Sequence, residues 1–291
     1  MTLEPVRIDG PAGVLAGWIA AAEGASPRPP VLFLHPINMR GLIWADVVDH
    51  LPADRAYYLP DLRAHGDSDA QGEFGLDSWL SDIEAFIDGV GLEGPFHVVG
   101  GSLGGSLAVC LAAARPGDVL SITGIGSSLN FAGTELQGVL DMFDELGVQG
   151  AFRKVFPEIT FGPFVSPDTV ERGIALANPN DVETVKRVWY ATVTSDSTER
   201  AADAQCPALV ITGEYDATCT PALGLEMARA LRTEQVLMPD IGHMPMLEKP
   251  GRVAELLLGH FAAAEAAADA AAGATAEAGA ATDPAEPTPS S

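Results

Sequence analysis

Positive charge is scarce in this sequence: 16 lysines and arginines stand against 40 aspartates and glutamates, a formal net charge of −24 at pH 7. Such a surface repels phosphate backbones and anionic lipid headgroups, so neither nucleic acid nor a membrane is an expected partner. Cysteine is scarcer still. Cys110, Cys206 and Cys219 are odd in number and lack ligand-like spacing, which argues against both a disulfide framework and a zinc site. No apolar run is long enough to span a bilayer, and the opening "MTLEPVRIDG" has neither the basic start nor the apolar stretch of a secretory signal. A soluble, cytoplasmic protein is the expectation. No Walker-type G-K-[ST] and no H-E-x-x-H occurs, and the glycines of "GGSLGG" are not spaced G-x-G-x-x-G, so no cofactor and no metal is inferred.

What is present is enough apolar sequence, 47% of 291 residues, to bury a sizeable core. Glycine and proline fall between apolar runs as turn punctuation. "PVRI" and "LAGWIAA" read as an opening hairpin. Later runs read as strands: "PVLFLHP" (30–36), "AYYLPDLR" (56–63), "FHVVGGS" (96–102), "VLSITGIGS" (119–127), "ALVITGEYD" (208–216) and "EQVLMPDIGH" (234–243). Helical stretches lie between them, the pattern of an α/β fold on a mostly parallel sheet. Leu76, Leu80, Ile83, Ile87 and Val90 fall at alternating spacings of four and three and predict one amphipathic helix. "LGGSLAVCLAAARP" predicts another, ending at Arg115-Pro116.

Two segments break the alternation. Residues 129–200 hold no strong strand signal and read as short helices, so they are expected to form a helical cap inserted into a core of residues 1–128 and 201–263. The cap's aromatics are expected mostly to pack among themselves, with a minority on a pocket wall. Residues 264–291 are alanine-rich with scattered acids and end in "TDPAEPTPSS". They are expected to be a disordered tail, although the alanines could extend the last helix by a few turns.

The chemistry centres on Gly100-Gly101-Ser102-Leu103-Gly104, which fits G-x-S-x-G with a strand before it and a helix after it. A serine at the tip of so sharp a turn has a strained backbone, and its neighbours two residues away must lack bulky side chains. A hydroxyl is a weak nucleophile and needs a base, and the base needs an orienting group. Asp216 follows one predicted strand and His243 follows the last, so both belong to loops at the carboxyl edge of the sheet, where open α/β sheets bind ligands. Taken singly, Asp216 also reads as a turn or helix-capping residue and His243 as an ordinary loop histidine. The chain order Ser…Asp…His, each after its own strand, favours a triad.

These segments together resemble the α/β-hydrolase fold superfamily, from the first strands to about Phe261. "LHPINMRGLIW" resembles its oxyanion-loop segment, "DLRAHGDSD" its D-x-R-G-x-G-x-S segment and "GHMPMLEKP" its G-H-x(4)-E-x-P ending. The cap's length and placement are similar to those of enol-lactone hydrolases and related small esterases. The resemblance implies a mostly parallel sheet flanked by helices, a catalytic triad of Ser102, Asp216 and His243, and an oxyanion hole from the Leu103 N–H and a second backbone donor. Pro36 stands where many members have glycine and has no N–H to give, so that second donor falls to Ile37, with Asn38 beside it. His35, Asn38 and Trp189 are expected to meet the substrate, although His35, like His65, also fits a loop-shaping role. Asp61 and Arg63 are expected to be scaffold, joined in a local ion pair. Ala64 departs from the family's glycine. The implied activity is hydrolysis of a carboxylic ester or lactone of a small to medium hydrophobic substrate. Thioester or carbon–carbon hydrolysis on the same scaffold, and a triad-bearing ligand sensor that recruits a protein, are the alternatives.

Overall fold

Val31 and Phe33 sit in one buried cluster and Leu32 and Leu34 in the other, the period-two alternation of a strand covered on both faces. The computed structural model describes residues 1–24, 28–131 and 135–280, the side chains of 274–280 excepted. Its strands are β1 (Glu4–Gly10), β2 (Gly13–Ala20), β3 (Val31–Leu34), β4 (Tyr57–Pro60), β5 (Phe96–Gly101), β6 (Val119–Ile125), β7 (Ala208–Gly213) and β8 (Gln235–Met238). They form one sheet in the order β1-β2-β4-β3-β5-β6-β7-β8. The β1–β2 hairpin and the β2–β4 pair are antiparallel, and the remaining pairs are parallel. This is the α/β-hydrolase architecture.

The helices follow the apolar faces of the sequence. They are α1 (Ala45–Val48), α2 (Leu76–Val90), α3 (Leu103–Ala114), α4 (Leu136–Val155), α5 (Pro167–Ala175), α6 (Val182–Val193), α7 (Pro221–Ala230), α8 (Pro245–Glu248) and α9 (Pro250–Ala280). Trp79, Ile83 and Ile87 of α2, Leu107 and Leu111 of α3 and Met227 of α7 pack with Leu32, Leu34 and Val98 on one face of the sheet. Val47 and Val48 of α1 and Val253, Leu257 and Phe261 of α9 pack with Val31, Phe33 and Val99 on the other.

Between β6 and β7 the chain leaves the sheet for α4, a π turn (Phe156–Thr160), α5 and α6. Phe143, Phe152, Phe156 and Phe161 form an aromatic ladder through this region, with successive ring centroids 5.8, 5.1 and 5.6 Å apart. Its entry and exit are tied together: Asn130 bridges Asp196, and the Ser197 N–H donates to the Leu129 carbonyl at 2.7 Å. α4 bends at Gly147, whose φ of +67° interrupts the helical backbone.

The last helix, α9, runs on past residue 264 to Ala280, and residues 281–291, the rest of the expected tail, lie outside the described residues. A tertiary anchor that composition cannot reveal holds it where the extension begins. Ala264 is buried, and Glu265 accepts from Arg55 Nη1 at 2.9 Å and from His97 Nε2 at 3.2 Å. Arg55 is 1% exposed and stacks over the Phe261 ring. Replacing the carboxylate leaves that guanidinium poorly paired in the interior. Glu265→Ala is expected to lower stability by about 2–3 kcal/mol in urea titration, and a loss below about 0.5 kcal/mol would contradict this account of the anchor.

Candidate active site

Ser102 connects β5 to α3 with φ +48° and ψ −117°, a conformation that a residue with a β-carbon adopts only under constraint. The constraint is visible. Its N–H donates to the Ile125 carbonyl at 3.0 Å, and its carbonyl accepts from the Gly105 N–H at 2.9 Å and the Ser127 hydroxyl at 2.6 Å. The turn is also closely packed: a Cβ on Gly100 would lie 2.1 Å from the Gly104 carbonyl oxygen, and one on Gly104 would lie 2.2 Å from that of Leu34. Gly105 has a similar need, since its Cβ would fall 2.2 Å from Ser127 Oγ. The expected glycines at 100 and 104 are thus required by space. Gly105 and Ser127 were not singled out by the sequence motif.

Asp216 and His243 meet at the carboxyl edge of the sheet. His243 Nδ1 is 3.0 and 2.9 Å from Asp216 Oδ1 and Oδ2. An ionised carboxylate has no proton to give, so Nδ1 carries the hydrogen and the Nε2 lone pair is left facing away from Asp216. Asp216 Oδ1 also accepts the N–H groups of Thr218 and Cys219 at 2.9 and 2.8 Å. The carboxylate is therefore both the turn residue and the partner of the imidazole. The His243 N–H donates to the Thr160 carbonyl at 2.6 Å, so the cap segment holds the histidine loop. Glu248 closes the same junction by accepting from the Gly242 N–H at 3.0 Å and the Gly162 N–H at 2.8 Å.

Among the described residues no hydrogen bond joins Ser102 to His243. Cys219, whose N–H is held by Asp216, has its thiol Sγ 3.8 Å from Ser128 Oγ. Burial, with Asp216 nearby, pushes that thiol far above its usual range and keeps it protonated. A cavity of about 100 Å³ lies between the loop after β3 and the cap. Ile37, Asn38, Met142, Phe143, Trp189 and His243 are among its walls, while Ser102 is not. No group of side chains suited to hold a metal ion is present among the described residues.

A sequence model of the alpha/beta hydrolase family matches residues 31–256. The chain belongs to that family. Among similar proteins, Lipase 1 of Psychrobacter immobilis is 27% identical over 255 residues, 81% of this chain and 78% of that protein. Lipase LipV of Mycobacterium tuberculosis is 35% identical over 118 residues, 40% of this chain and 44% of the length of that relative. The crystal structure of the enol-lactonase from Burkholderia xenovorans LB400 superposes with a TM-score of 0.78 at 20% identity, over 88% of this chain and 100% of that one, a likeness of fold. Among the described residues no helix of this hydrolase is long and apolar enough to cross a membrane.

Two expectations for the loops of this hydrolase are corrected. His35 does not meet the cavity. It is fully buried, its Nδ1–H donates to the Pro36 carbonyl at 2.7 Å, and its Nε2 accepts from the Leu62 N–H at 2.9 Å, so both ring nitrogens serve the backbone. Arg63 does not pair with Asp61. It forms a two-pronged pair with Asp82 of α2 at 2.7 and 2.6 Å, while Asp61 accepts the N–H groups of Gly41 and Asp67 at 2.6 and 2.9 Å. Asp61 thereby ties the segment after β4 to the loop after β3. Ala64, where the resemblance calls for glycine, has φ +63° and gives its carbonyl to Asn178 and Asn180 of the cap. Neither asparagine was singled out by sequence, because nothing local marks it.

His35 and His65 meet edge to face, their ring centroids 4.9 Å apart, in the segments that follow β3 and β4. Burial holds His35 well below its ordinary value and lowers His65 to about 4; His97, beneath the last helix, is lowered by burial to about 4 as well. In the unfolded chain a histidine takes up its proton near pH 6.5. The unfolded state therefore binds more protons between about pH 6.5 and 4, and stability that is complete above this window is lost as pH falls through it. Thermal midpoints are expected to be level between about pH 7 and 8 and to fall steadily below about 6.5. A midpoint unchanged down to about pH 4.5 would contradict the neutral, buried state of these rings.

Proposed function

We propose that this α/β hydrolase cleaves a carboxylic ester or lactone of a small to medium hydrophobic substrate through an acyl-enzyme at Ser102. The observation that carries the reading is the strained serine at the β5–α3 turn, at the same carboxyl edge of the sheet as a His243 whose Nδ1–H is committed to Asp216. The names of the relatives, lipases and an enol-lactonase, support the same class of bond.

The proposed chemistry needs Ser102 Oγ to reach His243 Nε2; rotation about a serine χ1 between staggered wells is ordinary, and catalytic hydrogen bonds often close only when substrate is bound. In the proposed reaction Oγ attacks the carbonyl carbon as its proton passes to Nε2, and Asp216 stabilises the resulting imidazolium. The carbonyl oxygen, now negative, takes hydrogen bonds from the N–H groups of Leu103, at the positive end of α3, and of Ile37. His243 returns the proton to the leaving oxygen, the carbon–oxygen bond breaks, and a water activated by the same imidazole hydrolyses the acyl-serine. The apolar walls and the modest cavity favour a short or compact hydrophobic substrate over a charged one.

Ser102→Ala removes the only atom through which the acyl group would be held. Its kcat on p-nitrophenyl butyrate is expected to fall by roughly 10⁴-fold or more, with residual rate from binding and the oxyanion donors alone. A variant that keeps above a tenth of wild-type turnover would overturn the assignment. Saturable binding of esters by wild type with no turnover would favour the ligand-sensing alternative.

A further inference from the structure

Asn38 is 1% exposed, lies in the loop that forms one wall of the cavity, and makes no hydrogen bond through its amide nitrogen Nδ2. The orientation of that amide follows from its neighbours. The Asn180 N–H can only donate, and it points at Asn178 Oδ1 at 3.0 Å; the Ala64 carbonyl can only accept, and it faces Asn178 Nδ2 at 2.8 Å. Asn178 Nδ2 is therefore the donor to Asn38 at 3.3 Å, which fixes the receiving atom as Asn38 Oδ1 and leaves Nδ2 as the free end. The cap grips the acceptor half of Asn38, and the donor half has no protein partner. Trp189 of α6 also lines that cavity, and its indole Nε1–H is likewise buried without a partner. Folded proteins rarely leave such donors unpaired, and both belong to residues that line one apolar cavity. No lysine or arginine is among the lining residues, so nothing there would balance a carboxylate.

Resting on the hydrolase reading above, we infer that Asn38 Nδ2 and Trp189 Nε1 are a second polar anchor, and that the natural substrate carries a neutral acceptor oxygen besides its scissile ester. A keto, ether, hydroxyl or second ester oxygen satisfies this chemistry; a plain alkyl chain leaves both donors unpaired, and sites built to hydrogen-bond an oxygen reject the analogue that lacks it. A carboxylate does not fit. Asn38 is suited to its place, since asparagine tolerates the left-handed backbone found there, φ +57°.

The test compares near-isosteric esters that differ by an oxygen: p-nitrophenyl methoxyacetate against p-nitrophenyl butyrate, and 2-methoxyethyl butyrate against n-butyl butyrate. Each kcat/KM is divided by the ester's own hydroxide-catalysed rate to remove intrinsic reactivity. In wild type at least one oxygenated member is expected to be favoured by about tenfold or more. In Trp189→Phe and in Asn38→Asp, which keeps a residue that accepts the left-handed backbone, that ratio is expected to collapse to within about twofold, whatever the absolute rate. A wild-type ratio within about twofold for both pairs, or a ratio that survives in both variants, would overturn the inference while ester cleavage itself stands. Cleavage of none of the four esters by wild type would overturn the hydrolase reading and this inference with it.

Discussion

The left-handed backbone of Ser102 depends on three hydrogen bonds, to the Ile125 carbonyl and from the Gly105 N–H and the Ser127 hydroxyl. Around that single residue the sheet and the helices are arranged. β5 must run beside β3 and β6 for the serine to reach Ile125, and α3 must start at once for Gly105 to reach back. The turn is so tight that Gly104 touches the end of β3, which leaves no room for a side chain there. Strain of this kind persists only where the surroundings over-determine it, and here strand pairing, helix start and a side-chain hydroxyl all do so. The same geometry sets Ser102 at the carboxyl end of β5, the edge at which open α/β sheets bind ligands.

The second organising feature is the dependence of the core's histidine loop on the cap. Thr160 holds the His243 main chain, and Glu248 bridges Gly162 of the cap to Gly242 of the loop. On the opposite wall Asn178 holds Asn38 and Ala64. The cap is thus a part of the site's framework. Phe143, Phe152 and Phe156 of its aromatic ladder also line the cavity.

Much of the fold was legible from local signals. Short apolar runs bounded by turn residues marked each strand of the parallel core, and the four-and-three spacing from Leu76 to Val90 marked α2 because one face of that helix meets the sheet. Ser102, Asp216 and His243 were legible as a set, and the structure brings Asp216 and His243 into contact with each other. What escaped was non-local. Arg63 chose Asp82, distant in sequence, over nearby Asp61, whose oxygens were already taken by backbone donors. His35 has the residue type of a substrate ligand, yet the backbone occupies both of its nitrogens. α9 outlasted its composition because Glu265 found a buried arginine some 210 positions away. Ser127, Asn178 and Glu248 carry no helical or strand period that would reveal their partners; only the residue pattern around Glu248 hinted at a fixed place.

The central claim is that backbone strain at Ser102 and the base at His243 together make the hydroxyl a nucleophile. Intact-mass analysis after exposure to a fluorophosphonate tests it most directly, because the reagent reports serine activation without a chosen substrate. The account predicts one covalent adduct on the wild-type protein and none on Ser102→Ala or His243→Ala. A folded wild-type protein that takes up no label, or an adduct that persists when Ser102 is replaced, would contradict it.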